Sequence, residues 1–413
     1  MKTISHVCFF VLICFIYSLN SVCYAQTADS KSTDIMLQGF HWESHKMAWW
    51  NLMASKAADI AAGGFSMVWF PPSSGAASAE GYLPHRLYLQ NSRYGTEAEL
   101  KNAIGSLHRH NVKAIADIVI NHRVGTKDWA DFNDPDWGSD SVCKNDEWPG
   151  AKGNWDTGDG YSAARDIDHA QPYVQKSIQE WMNWLKGNIG YDGWRYDYSK
   201  GYHGQYVALY NNATFPYFSV GEYWDDLNLN DSNPHRQRIC NWLDNAKSKS
   251  AAFDFTTKGI LQHAVGNSEY WRLRDSEGKP SGVIGWWPAK SVTFLDNHDT
   301  GPSGNGGQNH WPFPGDKVMQ GYAYILTHPG IPCVYWVHYY DWNLKEEIND
   351  LIKVRKNYNL HSESKVEIKV ADSSKYVAVI DGKVAVKIGY SDWNPGNGWI
   401  LATAGKNYAV WVK

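Results

Sequence analysis

Three short apolar segments of this chain each lead into an acidic residue. Residues 193–196 precede Asp197, residues 218–221 precede Glu222, and residues 292–295 precede a turn that ends in Asp299. Runs this short and apolar are typical of buried parallel strands. In a barrel of such strands, catalytic side chains lie at the C-terminal strand ends. Three carboxylates placed there predict a site that cleaves a glycosidic bond.

The neighbours of these acids support that chemistry. Cleavage with retention needs an ionised nucleophilic carboxylate and a second carboxyl that arrives protonated. Arg195 lies two residues before Asp197, so both side chains project from the same side of one strand and can form an ion pair. Glu222 ends the following strand, and Asp299 follows His298. The alternative is a set of buried ion pairs or helix N-caps, but three strand-end acids with Arg and His neighbours favour catalysis.

The elements that must position these residues alternate between strands and helices. Strands are predicted at 35–40, 65–70, 112–120, 193–197, 218–222, 252–255, 291–295 and 331–336. Thr96 and Glu99 form a capping box that opens one helix, and Pro172 opens another. The count of strand–helix units predicts an α/β fold with a closed (β/α)8 TIM barrel.

Two parts of the chain break this alternation. The first is rich in Asp, Gly, Asn and Trp and lacks periodicity, which predicts a small inserted domain after strand three at 122–165. The second changes to a period of two, and Asp381-Gly382 separates two alternating runs as in a hairpin. We therefore predict a barrel formed by 26–121 and 166–360, and a C-terminal antiparallel β-sheet domain at 361–413.

Composition narrows the class of ligand. The formal net charge is -4, from 39 basic and 43 acidic side chains, which gives no basic footprint for nucleic acid and no polybasic membrane patch. The chain has 22 Trp and 25 Tyr. Many of these will fill the core, but an excess this large also favours stacking on sugar rings.

The N-terminus indicates export. Lys2 precedes an apolar run at 7–17 that is too short to span a bilayer comfortably, and Ala25 closes a small-x-small pattern. We predict a signal peptide at 1–25 and a secreted protein, extracellular or periplasmic. Beyond the leader only Cys143, Cys240 and Cys333 remain, so neither a disulfide framework nor a zinc site is indicated.

Four short motifs stand in order along the chain. They are Asp-Ile-Val-Ile-Asn-His at 117–122, Gly-Trp-Arg-Tyr-Asp-Tyr-Ser-Lys-Gly-Tyr at 193–202, Gly-Glu-Tyr-Trp at 221–224 and Phe-Leu-Asp-Asn-His-Asp-Thr at 294–300. With these motifs the chain resembles the α-amylases over residues 34–413. Segments 38–43, 285–290 and 311–314 resemble the plant-type members. One such motif would be weak, but four in order at suitable spacing are specific.

The resemblance implies a role for each acid. Asp197 would be the nucleophile, Glu222 the acid/base and Asp299 the stabiliser of the transition state. It also implies a sugar-binding site around the cleaved bond that contains Tyr82, His122, Arg195, Lys200, Trp224 and His298. The chemistry agrees with the argument from the residues, because an oxocarbenium-like transition state gains from nearby negative charge.

Within that implied site the aromatic and basic residues have separate tasks. Tyr82 would stack on the sugar being cleaved, while Lys200 and Trp224 would line the leaving-group side. The resemblance also implies a starch-binding platform at Trp286-Trp287. The residues alone give a weaker reason, which is that two adjacent Trp in an extended segment cannot both easily face inward.

The acidic inserted segment has two interpretations. Its spacing lacks the EF-hand pattern and by itself indicates a solvated loop. The resemblance instead implies Ca²⁺ held by Asn121, Asp156 and Asp166, with backbone oxygens from the positions of Asp159 and Gly201, which suits a hard cation. Plant-type enzymes carry an acid where this chain has Gly160, so one calcium ion is expected and further ions stay open.

We therefore expect a secreted, calcium-binding α-amylase that hydrolyses internal α-1,4-glucosidic bonds of starch and maltooligosaccharides with retention, and that acts as a monomer without nucleic acid or membrane partners. Two alternatives remain. One is a maltooligosaccharide-forming or transglycosylating enzyme of the same family. The other is a non-catalytic starch-binding protein, against which the presence of all three acids argues.

Overall fold

The computed structural model describes residues 31–125, 130–304 and 306–413. The predicted signal peptide lies outside the described residues. Within them, eight parallel strands close into a barrel in which each strand pairs with its neighbours in chain order. The predicted α/β class and (β/α)8 barrel are confirmed. The barrel strands are β1 Met36–Gln38, β2 Met67–Trp69, β3 Lys113–Ile118, β4 Gly193–Tyr196, β5 Ser219–Gly221, β6 Ala251–Phe253, β7 Ser291–Phe294 and β8 Ile331–Tyr335.

Helices surround this barrel. The main ones are α1 Trp49–Ala62, α2 Glu97–Arg109, α3 Pro172–Trp184, α4 Gln205–Thr214, α5 Asn233–Asn245, α6 Phe255–Asn267, α7 Val318–Thr327 and α8 Lys345–Asn357. The predicted capping box is confirmed, because Thr96 accepts a hydrogen bond from the Glu99 N–H and the Glu99 side chain returns to Thr96. Pro172 occupies the first turn of α3, where its missing N–H costs nothing.

The barrel interior explains part of the aromatic excess. Strand residues of all eight strands are buried, as expected for parallel strands covered on both faces. Trp49, Trp50, Trp69 and Trp194 are fully buried. These tryptophans therefore serve packing, and the sugar-stacking interpretation applies only to aromatic residues that reach a surface.

The two ends of the segment after β3 lie side by side at the barrel. His122–Arg123 pairs in antiparallel fashion with Arg165–Asp166. The buried guanidinium of Arg123 donates to the carbonyl oxygens of His85, Asn133 and Pro135. This arrangement fixes the segment beside the C-terminal ends of the barrel strands.

The chain ends in an antiparallel sheet. Among the described residues it has five strands, in the order β9-β10-β11-β13-β12. They are β9 Val366–Ala371, β10 Lys375–Ile380, β11 Val384–Gly389, β12 Ile400–Gly405 and β13 Tyr408–Val412. Asp381 and Gly382 have φ angles of 49° and 70°, as a hairpin turn between β10 and β11 requires. The predicted hairpin is confirmed.

A search of the described helices for a membrane span found none with the length and apolar character needed to cross a bilayer.

Candidate active site

The three strand-end acids converge on one cavity. Asp197 directly follows β4, Glu222 directly follows β5, and Asp299 lies in the turn after β7. The cavity has a volume of about 440 Å³. Its other lining residues are Trp42, Tyr82, Tyr161, Tyr198, Lys200, Trp224, Asp225, Asp226, His298, Gln308 and His310. The sequence prediction that these acids share one end of a barrel is therefore confirmed.

Arg195 contacts three carboxylates of the site. Its Nη1 atom donates to Asp197 Oδ1 at 2.7 Å and to Asp117 Oδ1 at 2.8 Å. Its Nη2 atom lies 2.6 Å from Glu222 Oε1, an ion-pair contact without the alignment of a hydrogen bond. The guanidinium is fully buried, so solvent does not screen these contacts. The predicted Arg195–Asp197 pair is confirmed, and it is part of a larger cluster.

Burial sets the proton affinities of these acids. It raises the pKa of Glu222, which the charge of Asp197 raises further and that of Arg195 lowers. It also raises the pKa of Asp197, against the charge and hydrogen bond of Arg195. The pKa of Asp299 lies well above its ordinary value, because burial and the Glu222 charge both disfavour the anion. Such a site can hold one carboxyl protonated beside an ionised partner.

Asp117 is a member of this site that sequence reasoning missed. Its Oδ2 atom accepts hydrogen bonds from the Trp69 indole at 3.0 Å and from the Tyr82 hydroxyl at 2.8 Å. Burial raises its pKa to about 7, although Arg195 opposes this shift. The signal was available, because Asp117 is an acidic residue among the buried apolar residues 114–118 of β3.

Hydrogen bonds orient the two histidines. The Gln38 side-chain amide donates to His298 Nδ1 at 3.0 Å, so the proton of the neutral ring lies on Nε2, which is 3.3 Å from Asp299 Oδ2. His122 Nε2 instead lies 2.8 Å from the Tyr82 carbonyl oxygen, and burial lowers the pKa of His122 to about 4. The structure thus brings His298 to the cavity wall and leaves His122 behind it.

Aromatic rings form the walls of the cavity. Tyr82 stacks against His298, with ring centroids 4.9 Å apart and planes 7° apart. Trp42 is parallel to Tyr82 at 6.0 Å, and Tyr161 covers His122 at 4.0 Å. Trp42 and Tyr161 were missed at the sequence level, because they come from loops whose approach to the site cannot be read from local spacing.

Lys200 and Trp224 lie on the Glu222 side of the cavity. Lys200 Nζ is 3.5 Å from Asp159 Oδ2, which connects the cavity wall to the inserted segment. Trp224 stacks on Phe255, with ring centroids 5.3 Å apart and planes 9° apart. Both residues line the cavity, and their place on the leaving-group side stays a prediction.

Trp286 and Trp287 do not belong to the lining of this cavity. Val283–Trp286 forms a helical turn, so the argument from an extended segment does not apply here. Trp286 is 36 % exposed, and the Arg236 guanidinium stacks 3.6 Å from its ring centroid. Trp287 is partly buried against the core. Of the two tryptophans, Trp286 therefore offers the exposed ring, and the Arg236 guanidinium packs against that ring.

The residues expected to hold calcium meet beside the cavity. Asn121 and Asp166 are in contact, with the amide 3.4 Å from the carboxylate. Gly201 lies so close that a Cβ atom there would be 2.0 Å from Asn121 Oδ1. Within the described part of the chain, Asp156 Oδ2 is buried without a hydrogen-bond partner. The Asp159 N–H donates to the Lys200 carbonyl oxygen, and its carboxylate is exposed.

Burial among other acids disfavours the ionised forms of these carboxyls. Burial raises the pKa of Asp166 to about 8, and the nearby charges of Asp156, Glu147 and Asp146 add to the shift. Burial also raises the pKa of Asp156 to about 6. A buried, unpartnered carboxylate oxygen among acids and amide oxygens fits a hard cation.

A second acid group overlaps this cluster. Carboxylate oxygens of Asp146, Glu147 and Asp166 lie within 4.8 Å of one another and could hold a metal ion. The Glu147 Oε1 atom is 2.6 Å from the place where a Cβ atom on Gly160 would be. Glu147 therefore fills the space beside the position at which the expected acid is absent.

Comparisons with known proteins agree with this fold. Residues 357–412 match the family described as "Alpha-amylase C-terminal beta-sheet domain". "Probable alpha-amylase 2" of Arabidopsis thaliana is 46 % identical, with 92 % of this chain and 94 % of that protein covered. "Glucan 1,4-alpha-maltotetraohydrolase" of Roseateles saccharophilus is 32 % identical, with 88 % and 69 % covered.

A solved structure supports the fold independently. The α-amylase from Malbranchea cinnamomea superposes with a TM-score of 0.67 at 18 % identity, with 92 % of this chain and 95 % of that chain covered. Together with these relatives, a barrel with acids at its strand ends defines the class as a glycoside hydrolase. The identity to the Arabidopsis protein over nearly the full length of both chains is decisive: the chain belongs to the α-amylase family.

Proposed function

We propose that this α-amylase family member cleaves internal α-1,4-glucosidic bonds of starch and maltooligosaccharides by double displacement. Asp197 attacks the anomeric carbon while Glu222 protonates the leaving oxygen. Glu222 then deprotonates a water molecule, which attacks the anomeric carbon, breaks its bond to Asp197 and releases the sugar. The observation that carries the proposal is the buried Arg195, which contacts both Asp197 and Glu222 and so holds the two carboxyls close together.

The other residues of the site support this reaction. Asp299 opposes the positive charge that develops on the sugar ring, and the His298 Nε2–H beside it can donate to a ring hydroxyl. Tyr82 supplies a flat face for the same ring, with its hydroxyl fixed by Asp117. Arg195 keeps Asp197 ionised for attack. His122 packs against Tyr161, which lines the cavity, and so helps to set the shape of the pocket.

The walls of the cavity favour internal cleavage. Lys200 follows β4 and Trp224 follows β5, on the side of the acid/base. Trp42 follows β1 and His310 follows β7, on the opposite side of the barrel ring. Because Glu222 protonates the leaving group, sugars on its side depart with the original reducing end of the chain, and sugars beside Trp42 form the glycosyl-enzyme. Walls on both sides accommodate a chain that passes through the site.

The competing product pattern comes from the maltotetraohydrolase relative. An enzyme of that kind releases one short product from a chain end, whereas the proposed endo-enzyme releases mixed oligosaccharides early. A maltooligosaccharide blocked at its non-reducing end separates the two, because only an endo-enzyme cleaves it. Early products of a single length would favour the alternative.

Ca²⁺ is part of the proposal. Asn121, Asp156 and Asp166 would hold the ion with carbonyl oxygens of Asp159 and Gly201, and it would supply structural charge compensation. Gly201 lies four residues after the nucleophile, so this chain's own backbone couples the ion-binding segment to β4. We also propose a surface sugar site on the exposed ring of Trp286, and export of a monomeric enzyme directed by residues 1–25.

The Glu222→Gln variant tests the catalytic assignment. The amide is nearly isosteric but cannot donate an acidic proton, so kcat on starch should fall at least about 10³-fold. Binding of maltoheptaose, measured by calorimetry, should persist. The matched control is Glu269→Gln, which removes a surface carboxylate paired with Arg272. Near-normal turnover of Glu222→Gln would sink the assignment.

A further inference from the structure

A buried charge cluster lies next to the active site but outside the proposed chemistry. Lys258 on α6, Asp296 after β7 and His338 after β8 all have side chains with no solvent exposure. Lys258 Nζ is 3.3 Å from Asp296 Oδ1, and His338 Nε2 is 3.4 Å from Asp296 Oδ2. Burying charges is costly, and even a paired set of buried charges often adds little stability. A role beyond stability is therefore expected for this ion pair.

Asp296 joins two segments that both reach the cavity. It accepts hydrogen bonds from the Phe313 N–H at 3.1 Å and from the Thr300 hydroxyl at 3.2 Å. Lys258 also donates to the Trp311 carbonyl oxygen at 2.7 Å and to the Gln262 side chain. The ammonium therefore connects the turn after β7 with the segment that follows the cavity residues Gln308 and His310.

Lys258 places an ammonium against the Asp296 carboxylate. His338 completes the cluster. Its Nδ1 atom lies 2.8 Å from the Tyr322 hydroxyl, which accepts the Tyr335 N–H at 3.2 Å, and its Nε2 atom faces Asp296. Burial raises the pKa of Asp296, but the charge of Lys258 and the His338 contact outweigh it and lower that pKa. Burial lowers the pKa of Lys258 itself to about 8.

The turn held by this cluster carries two residues of the site. Asn297 Oδ1 accepts the N–H groups of Asp299 at 3.0 Å and Thr300 at 2.9 Å. The Thr300 hydroxyl accepts the Asn297 N–H at 3.0 Å and donates to Asp296. The backbone of Asp299 is thus tied through Asn297 and Thr300 to Asp296. A shift of Asp296 would move Asp299 and the adjacent His298.

We propose that Lys258 is a positioning residue for the reaction, which acts through Asp296 to place Asp299 and His298 against the sugar. This inference rests on the proposed function, because it assigns a purpose to the geometry of those two residues. None of the three cluster residues lines the cavity described above. Their effect should therefore appear in the rate of the chemical step and not in substrate affinity.

The test is Lys258→Met, which removes the ammonium and keeps the side-chain length. A small misplacement of a catalytic group costs up to about 10²-fold in rate, so kcat should fall at least about tenfold while KM for maltoheptaose changes less than about twofold. Rates are measured well below the melting temperature of each variant. The matched control is Lys317→Met, which removes an ammonium bonded to the carbonyl oxygens of Val265 and Gly266 on the same helix.

A second variant covers the case in which Lys258→Met does not fold. Lys258→Met with Asp296→Asn leaves no unpaired buried charge, and its kcat should still be reduced at least about tenfold. If kcat of either folded variant stays within about twofold of wild type, or if Lys317→Met loses as much, the inference is overturned. If wild type itself fails to hydrolyse starch, the proposed function fails instead.

Discussion

Two groups of acids in this molecule differ in how far side-chain cations compensate their negative charge. The first, named the catalytic cluster for its proposed role, consists of Asp117, Asp197, Glu222 and Asp299. The inserted-segment cluster consists of Asp146, Glu147, Asp156 and Asp166. The catalytic cluster is built around Arg195, which contacts three of its members. In the inserted-segment cluster, Arg165 pairs with Asp146, 2.9 Å away at the edge of the group.

This difference matches the functions proposed for the two clusters, which are catalysis and structural ion binding. A catalytic site needs fixed charges, because a built-in cation keeps the same geometry through every turnover. A structural site can take its charge from solution, and it then gains stability only when the ion is present. Burial raises the pKa values of Asp166 and Asp156, and a bound cation would offset that cost.

The largest expected effect comes from removing the built-in cation. Arg195→Met should lower kcat by at least about 10³-fold and the free energy of unfolding by about 3–5 kcal/mol, because three buried carboxyls lose their partner. Starch hydrolysis and denaturant unfolding measure the two effects. Arg195→Lys keeps the charge but cannot contact Asp197 and Glu222 with separate nitrogens, so it should restore stability better than rate. A rate close to wild type in either variant would contradict the central role of Arg195.

The residues of the catalytic cluster were largely predictable, and the reason is geometric. Asp197 and Glu222 directly follow short apolar strands, and parallel strands of a barrel bring their ends together. Asp117 lies within β3, and its role depends on Arg195, 78 residues later in the chain. No local pattern gives such a contact, so the strand-end acids were found and their partner inside the strand was missed.

The inserted-segment cluster was less predictable. The ligand set came from a resemblance, since its spacing alone indicated a solvated loop. Glu147 was not singled out, because its approach to Gly160 depends on how an irregular loop folds back on itself. Tyr161 was missed for the same reason, as the loop places it over His122.

The next effect concerns the calcium ion proposed for the inserted-segment cluster. Calcium removal with EGTA at pH 8, followed by exchange into calcium-free buffer at pH 8 or pH 5, should lower the melting temperature by about 5 °C, and the loss should be larger at pH 8 than at pH 5. In the calcium-free protein, Asp156 and Asp166 have pKa values of about 6 and 8, above the unfolded value of about 4. The folded state therefore binds more protons, and stability falls as pH rises from about 4 through 8.

Differential scanning calorimetry with and without calcium measures this difference, and comparison at each pH cancels groups outside the cluster. Asp166→Asn should lower the melting temperature of the calcium-loaded protein and make it insensitive to EGTA. Asp136→Asn, at an exposed position of the same segment, serves as the control. An equal effect of EGTA at both pH values would contradict the assignment of the titration to these acids.

The smallest effect tests whether the inserted-segment cluster binds more than one calcium ion. Glu147 lies beside Gly160 and within reach of Asp146 and Asp166, so it can supply a carboxylate to a further ion at the solvent side. Glu147→Gln should lower the number of bound calcium ions, with a fall in melting temperature of about 2 °C or less and no change in kcat. Equilibrium dialysis against labelled calcium counts the ions. If the count is unchanged, the inserted-segment cluster binds its calcium through Asn121, Asp156 and Asp166 without Glu147, and the two clusters are then alike in needing a single cation.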